Sequence, residues 1–235
     1  MVTIEARPEQ VAVDPDRTVV LVIDMQNDFG SPGGMFDRAG IDISGIAAAA
    51  DATRSLLEAA RAAGLPVVYV TMEHAPDLSD VGPADGPHWI KHSRLHVGDR
   101  VSAPDGSEGR ILIRNTWNTQ ILDRLAPEPG DAIVPKHRYS GFFETRLDEV
   151  LRDAGAKHLL VAGCTTSVCV EATVRDAMYR DYTCIVLEDC CAEPIGAELP
   201  RANHDASLLT IETLFGWIST SAAVSRALAA RVAVV

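Results

Sequence analysis

Short apolar runs alternate with helix-period stretches along this chain, and that alternation predicts an α/β fold with a parallel sheet covered on both faces. Three observations carry the prediction. The run Thr18–Ile23 is continuously apolar or β-branched and enters Asp24. The run Asp131–Pro135 enters Lys136, and Leu159–Ala162 enters Gly163 and then Cys164-Thr165-Thr166-Ser167-Val168-Cys169. Continuous apolar runs of this length read as strands buried on both faces. Strands are expected at 18–24, 66–72, 111–114, 131–135, 157–163 and 183–188. Helices are expected at 44–63, 117–125, 144–154, 167–180, 203–211 and 221–231. The architecture is then a three-layer αβα sandwich around a Rossmann-like central parallel sheet of about six strands.

Each element has a local reason. The stretch 44–63 is rich in alanine, which lets a helix approach a sheet closely, and Leu56 and Leu57 continue the apolar face. Residues 168, 170, 174 and 177 are apolar at helical spacing, with small polar residues before them suited to a turn and an N-cap. Residues 1–17 read as a polar lead-in. Residues 74–110 hold Pro, Gly and His without a clear period, a long insert of the kind that shapes a pocket. The chain of 235 residues reads as one domain, 1–235, with no internal repeat.

Three residue types at strand ends carry the chemistry. In open α/β sheets the carboxyl ends of the strands are where ligands bind. Asp24, Lys136 and Cys169 all fall there. An acid, a cation and a thiol form a complete set for covalent acyl transfer. Cys169 falls in the first turn of a helix, where the dipole favours a thiolate and backbone N–H groups can hold an oxyanion.

On these residues the chain resembles the isochorismatase-like cysteine hydrolase superfamily from about Val19 to about Ser219. The resemblance implies an Asp24-Lys136-Cys169 triad, a cis Cys164–Thr165 peptide, and an oxyanion hole made by the Thr165 and Cys169 amides. Within the superfamily the chain is similar to ureidoacrylate amidohydrolases. That likeness rests on Ser31-Pro32-Gly33-Gly34, on Pro135-Lys136-His137-Arg138-Tyr139-Ser140-Gly141-Phe142-Phe143, and on Ile211 to Trp217. Trp117 and Gln120 also fit that pattern. The segments Glu73 to Leu78 and Gly109 to Leu112 look more like biuret hydrolases, which leaves biuret or triuret open as substrates. Nicotinamidases carry Asp-x-His after the first strand, and here that region reads Phe36-Asp37-Arg38-Ala39-Gly40.

The function this implies is cleavage of a C–N bond in a small ureido or carbamoyl compound through a covalent Cys169 intermediate. The reading from another class is a binding protein of the same fold without chemistry. Candidate substrate contacts are His74, Trp117, Gln120 and Tyr139, with Lys91 and Arg94 as cations for a carboxylate; His92 belongs to the same basic group. Aromatic walls are expected from the segments around Phe142 and Phe143 and around Phe215 and Trp217. No cofactor and no metal is expected. His88, His92 and His96 recur every four residues, but the Gly- and Pro-rich surroundings favour a loop over a metal-binding helix face.

Net charge is −12, which argues against nucleic acid or an anionic membrane as a partner. No apolar stretch approaches the length needed to cross a bilayer, and the first residues hold no signal core, so a cytoplasmic location is expected. The odd count of 5 cysteines without C-x-x-C suits reduced thiols. Cys190 and Cys191 read as packing residues. The resemblance implies a homodimer or homotetramer.

Overall fold

The computed structural model describes residues 1–232. Six parallel strands form the central sheet: β1 (Thr18–Ile23), β2 (Val67–Met72), β3 (Ala132–Lys136), β4 (His158–Cys164), β5 (Thr183–Ala192) and β6 (Trp217–Ser219). Their spatial order is β6-β5-β4-β1-β2-β3. Among the described residues the helices of seven or more residues are α1 (Ser44–Ala62), α2 (Pro87–Ser93), α3 (Leu147–Asp153), α4 (Glu171–Met178), α5 (Asn203–Leu214) and α6 (Ser221–Val232).

Alternation along β1 divides the core in two. Val20 and Val22 point into a cluster with Ala49, Leu56 and Leu57 of α1 and Val224 and Leu228 of α6. Val19, Leu21 and Ile23 point the other way, into a cluster with Leu147 and Leu151 of α3, Val174 of α4 and Leu208 of α5. Every residue of β1, β2 and β4 is buried, as the uninterrupted apolar runs require. The three-layer expectation holds. Chain order reverses on either side of β1, so β1 and β4 lie side by side at the topological switch point, with Ile23 opposite Gly163. Gly163 has a φ of 145°, and a Cβ there would lie 2.3 Å from the Ile23 carbonyl oxygen, so only glycine permits this approach.

Four expectations change. The run 111–114 is not a strand: Leu112 has a φ of 51°, which breaks the extended path, and Ile113 makes a single bridge to His74. The sixth strand is instead β6. The stretch 117–125 is not one helix but two short turns, Trp117–Thr119 and Asp123–Leu125. Its polar side chains serve other partners; the Asn118 amide donates to Asp28 rather than facing solvent on a helix. The helix expected from 144 begins at Leu147, because Glu144 has a φ of 52°. The lead-in is not merely polar. Val2–Ile4 and Val11–Val13 pair as an antiparallel ribbon that buries Ile4 and Val13, and Arg7 bridges Ile218 of β6 through both its amide and its carbonyl.

Two buried polar residues fix the loops after β1. Gln26 donates to the carbonyls of Met72 and Thr119 and accepts from the Met72 amide at 2.8 Å. Asp28 accepts from the Met35 amide at 2.9 Å, the Leu112 amide at 2.6 Å and the Asn118 side chain at 2.6 Å. Burial pushes the Asp28 carboxyl up to about 6 despite these bonds. Replacing Asp28 by Ala leaves buried donors without an acceptor. Asp28→Ala is expected to destabilise the fold by roughly 3 kcal/mol, read as a lower urea midpoint at unchanged slope. A midpoint within experimental error of the wild type would show that these donors are satisfied elsewhere.

Candidate active site

Asp24 ends β1 in the left-handed region, with a φ of 53°, a conformation Asp tolerates better than most residues. Lys136 ends β3 opposite Met72 of β2. Its side chain therefore crosses beneath the end of β2 to reach β1. The Lys136 Nζ lies 2.8 Å from Asp24 Oδ2, with both side chains fully buried. The same ammonium donates to the Arg138 carbonyl at 3.1 Å and approaches Cys169 Sγ at 3.4 Å. Cys169 lies in a single π-helical turn, Thr166–Val170, that runs directly into α4. Such turns recur at functional sites because they displace one residue from the helical path. The Cys164–Thr165 peptide is cis. Asp24, Lys136 and Cys169 thus meet, although 33 residues separate the last two in sequence.

The helix position by itself favours a thiolate at Cys169, and the burial and charges around it act against that. Burial, and then the Asp24 charge, push the Cys169 thiol well above its ordinary value, and Lys136 offsets this only in part. The resting group is a neutral thiol. Burial also raises the Asp24 carboxyl, against the pull of Lys136. For Lys136, burial works against the charge, but Asp24 and Cys169 outweigh it and its pKa is raised. A neutral thiol therefore sits beside a buried acid–amine pair at rest.

A cavity of about 130 Å³ opens onto Cys169. Its lining includes Thr165 and Cys169, then Tyr139, Lys91 and His92, and apolar residues among which are Phe29, Phe36, Met72 and Leu112. Of the expected substrate contacts, Tyr139 and Lys91 are there. His74 is fully buried behind the wall, edge-on to His88 and His92. Three are elsewhere. Gln120 is exposed and lines a separate depression with Glu73 and Asn115, because its backbone is extended after the Trp117–Thr119 turn. The Trp117 carbonyl accepts from the Asn27 side chain, and the residue lies outside the cavity lining. Arg94 caps the end of α2 and faces a groove with Arg38 and Asp99.

The aromatic wall is likewise not the expected one. Phe142 is buried beside Tyr182, Phe143 sits against His137, and Phe215 lies under the Arg175 guanidinium. Trp217 is a residue of β6. Phe29 and Phe36 form the wall instead, edge to face at 5.1 Å. Their signal was the pair of apolar residues flanking Ser31-Pro32-Gly33-Gly34, a segment noted only as a motif.

A buried acid–amine pair beside a thiol, at the switch point of a parallel sheet, is an arrangement suited to cysteine hydrolase chemistry. Comparison with known proteins agrees. The isochorismatase domain model matches residues 18–223, and the chain belongs to that family. A ureidoacrylate amidohydrolase, RutB, from Caulobacter segnis is 42% identical over 221 residues, covering 94% of this chain and 90% of that protein. The crystal structure of a cysteine hydrolase from Pseudomonas syringae pv. phaseolicola superposes with a TM-score of 0.77 at 32% identity, covering 93% of this chain and 95% of that one. An N-carbamoylsarcosine amidase from Thermoplasma acidophilum superposes with a TM-score of 0.63 at 27% identity, covering 87% and 96%.

The buried pair makes a stability prediction. Lys136→Met leaves Asp24 charged and alone in the core, and is expected to cost about 3–5 kcal/mol in urea unfolding. Adding Asp24→Asn removes the orphaned charge and is expected to recover a large part of that loss. Additive losses in the double variant would show that the two side chains do not interact.

Proposed function

We propose that the protein is a cysteine-dependent amidohydrolase that cleaves a C–N bond of a small ureido or carbamoyl compound. The observation that carries the reading is the contact of Lys136 with both Asp24 and Cys169 at the floor of a cavity sized for a small molecule. In the proposed mechanism the substrate carbonyl enters over Cys169. Asp24 takes the thiol proton as the sulfur attacks, and Lys136 balances the negative charge. The raised Asp24 carboxyl makes it a stronger base than an exposed carboxylate. The Thr165 and Cys169 amides hold the oxyanion. Collapse breaks the C–N bond, and the amine leaves with the proton held by Asp24. Water, deprotonated by the same carboxylate, then cleaves the thiocarbamate and restores the thiol. A terminal carbamoyl group leaves as carbamate, which decays to carbon dioxide and ammonia. The competing reading, a binding protein without chemistry, gives no reason to hold an ion pair in the core against a thiol.

We take the substrate to be of the ureidoacrylate type. Lys91 at the cavity wall supplies a cation for its carboxylate, and the apolar remainder suits a short planar chain. Biuret, which has no carboxylate, would leave that cation without a partner.

Cys169→Ala is expected to lower kcat at least about 10³-fold, and Asp24→Asn to abolish turnover while substrate still binds. Appreciable turnover by Cys169→Ala would rule out the covalent route. The rate should fall on the acid side as Asp24 protonates, at a pH above the ordinary carboxylate value of 3.8. On the alkaline side it should fall as Lys136 loses its proton, above the ordinary 10.5. Both limbs belong to the coupled trio rather than to one residue. An acid limb centred at or below 3.8 would contradict the role given to Asp24.

For the substrate, Lys91→Ala should raise KM for ureidoacrylate far more than for biuret, and Arg94→Ala should leave both unchanged. A wild-type kcat/KM higher for biuret than for ureidoacrylate would overturn the choice.

A further inference from the structure

We infer that His74, His88 and His92 form a three-nitrogen site for a divalent transition-metal ion of the zinc type. One ligand nitrogen from each ring lies within 4.8 Å of the other two. His88 and His92 are one helical turn apart on α2, so both rings leave the same face, with centroids 3.9 Å apart. His74 follows β2 and faces them, its ring 5.7 Å from His88 and 5.6 Å from His92. The stretch expected to be a loop is helical over Pro87–Ser93, and His96, the third histidine of the four-residue spacing, lies beyond it, exposed and turned toward Asp99.

The hydrogen bonds select the form of each ring. The Nδ1 of His74 lies 3.1 Å from Asp80 Oδ1, and Asp80 is itself held by Arg114 at 2.9 Å. The Nδ1 of His92 lies 2.8 Å from the His88 carbonyl. Both acceptors place the ring proton on Nδ1, which leaves the Nε2 lone pair free; this carboxylate- or carbonyl-to-imidazole arrangement is the one that orients metal-bound histidines. The Nε2 atoms of His74 and His88 are buried and have no hydrogen-bond partner. His74 is fully buried, so an unpaired nitrogen there is costly to keep unless a ligand takes it up.

Three imidazoles suit zinc or cobalt rather than calcium or magnesium, which take oxygen ligands. Three protein ligands leave the fourth tetrahedral position open, unlike a closed structural site. Since His92 lines the Cys169 cavity, that position lies beside the cavity wall. A metal–nitrogen length of about 2.0–2.1 Å requires the three nitrogens to draw in from their present spacing. The site is distinct from the Asp24-Lys136-Cys169 trio and does not rest on the reaction proposed for it.

The test is metal binding by the full chain after chelator treatment and dialysis. Calorimetric titration with ZnCl2 is expected to give one equivalent per chain, and Co²⁺ to give the visible absorption of a tetrahedral complex. Zn²⁺ should also raise Tm. Cys169→Ala should bind Zn²⁺ as the wild type does, which separates this site from the thiols. His88→Gln, at a partly buried position, should weaken binding at least about 100-fold, and Asp80→Asn about 10- to 100-fold. Absence of stoichiometric Zn²⁺ binding by the wild type would overturn the inference. So would full affinity in His88→Gln, or loss of affinity in Cys169→Ala with His88→Gln unaffected.

Discussion

The Asp24–Lys136 ion pair is the constraint around which the rest of the molecule is arranged. Both side chains are withdrawn from water, and desolvating each ion costs several kcal/mol before any attraction is counted. That cost is tolerable only where the geometry is fixed and the remaining donors are used. The Arg138 carbonyl, the Met72 sulfur and the Cys169 sulfur take the other directions around the ammonium. The left-handed turn at Asp24 and the close approach of Gly163 to Ile23 hold the strand ends in register beneath it. The pair also decides the state of the thiol. A neighbouring cation alone would favour a thiolate; a cation already neutralised by a carboxylate, in a buried setting, favours the thiol with a base at hand.

The parts of this arrangement that were legible in the sequence are those that depend on chain-local pattern. β1, β2 and β4 are buried on both faces, so their apolar runs are unbroken and their ends are marked by Asp24, Glu73 and Cys164; β5 was legible only to 188, because Glu188 and Asp189 interrupt its apolar run while the strand continues to Ala192. Lys136 was legible for the same reason, at the end of a short run with Pro135, which an edge strand accepts because one side of it needs no ladder donor. What failed was set by contacts between distant segments. Leu112 and Glu144 adopt positive φ in loops held by remote partners, and no local pattern announces this. The assignment of Gln120, Trp117 and Arg94 to the cavity came from motif position alone, and the backbone turns at 117–119 and at the end of α2 send them elsewhere.

The insert between β2 and β3 shows the same division. Its composition marked it as a segment that shapes the pocket, and Lys91, His92, Leu95 and Leu112 do line the cavity. Its composition also disguised a two-turn helix, since Pro87 at the first helical position and Gly86 before it read as breakers when they are a start signal. Asp28 reaches from the other side of the site to hold Leu112 and Asn118, so the insert and its return path are tied to the loop after β1. Asp28 and Asn118, which no motif singled out, thus help fix the shape of the cavity.

The bridge between Arg7 and Ile218 bears on how copies of this chain can meet. A sheet with a bare edge is a template on which another chain can add a strand. At one edge, β6 is only three residues long, and the amide and carbonyl of its central residue are already taken by Arg7. The ion pairs of Arg7 with Glu188 and Glu212 pin that cover in place. At the other edge, Pro135 removes a donor from β3. The ladder therefore stops within one molecule, and any association between copies has to be built from side chains on helices and loops rather than by lengthening the sheet.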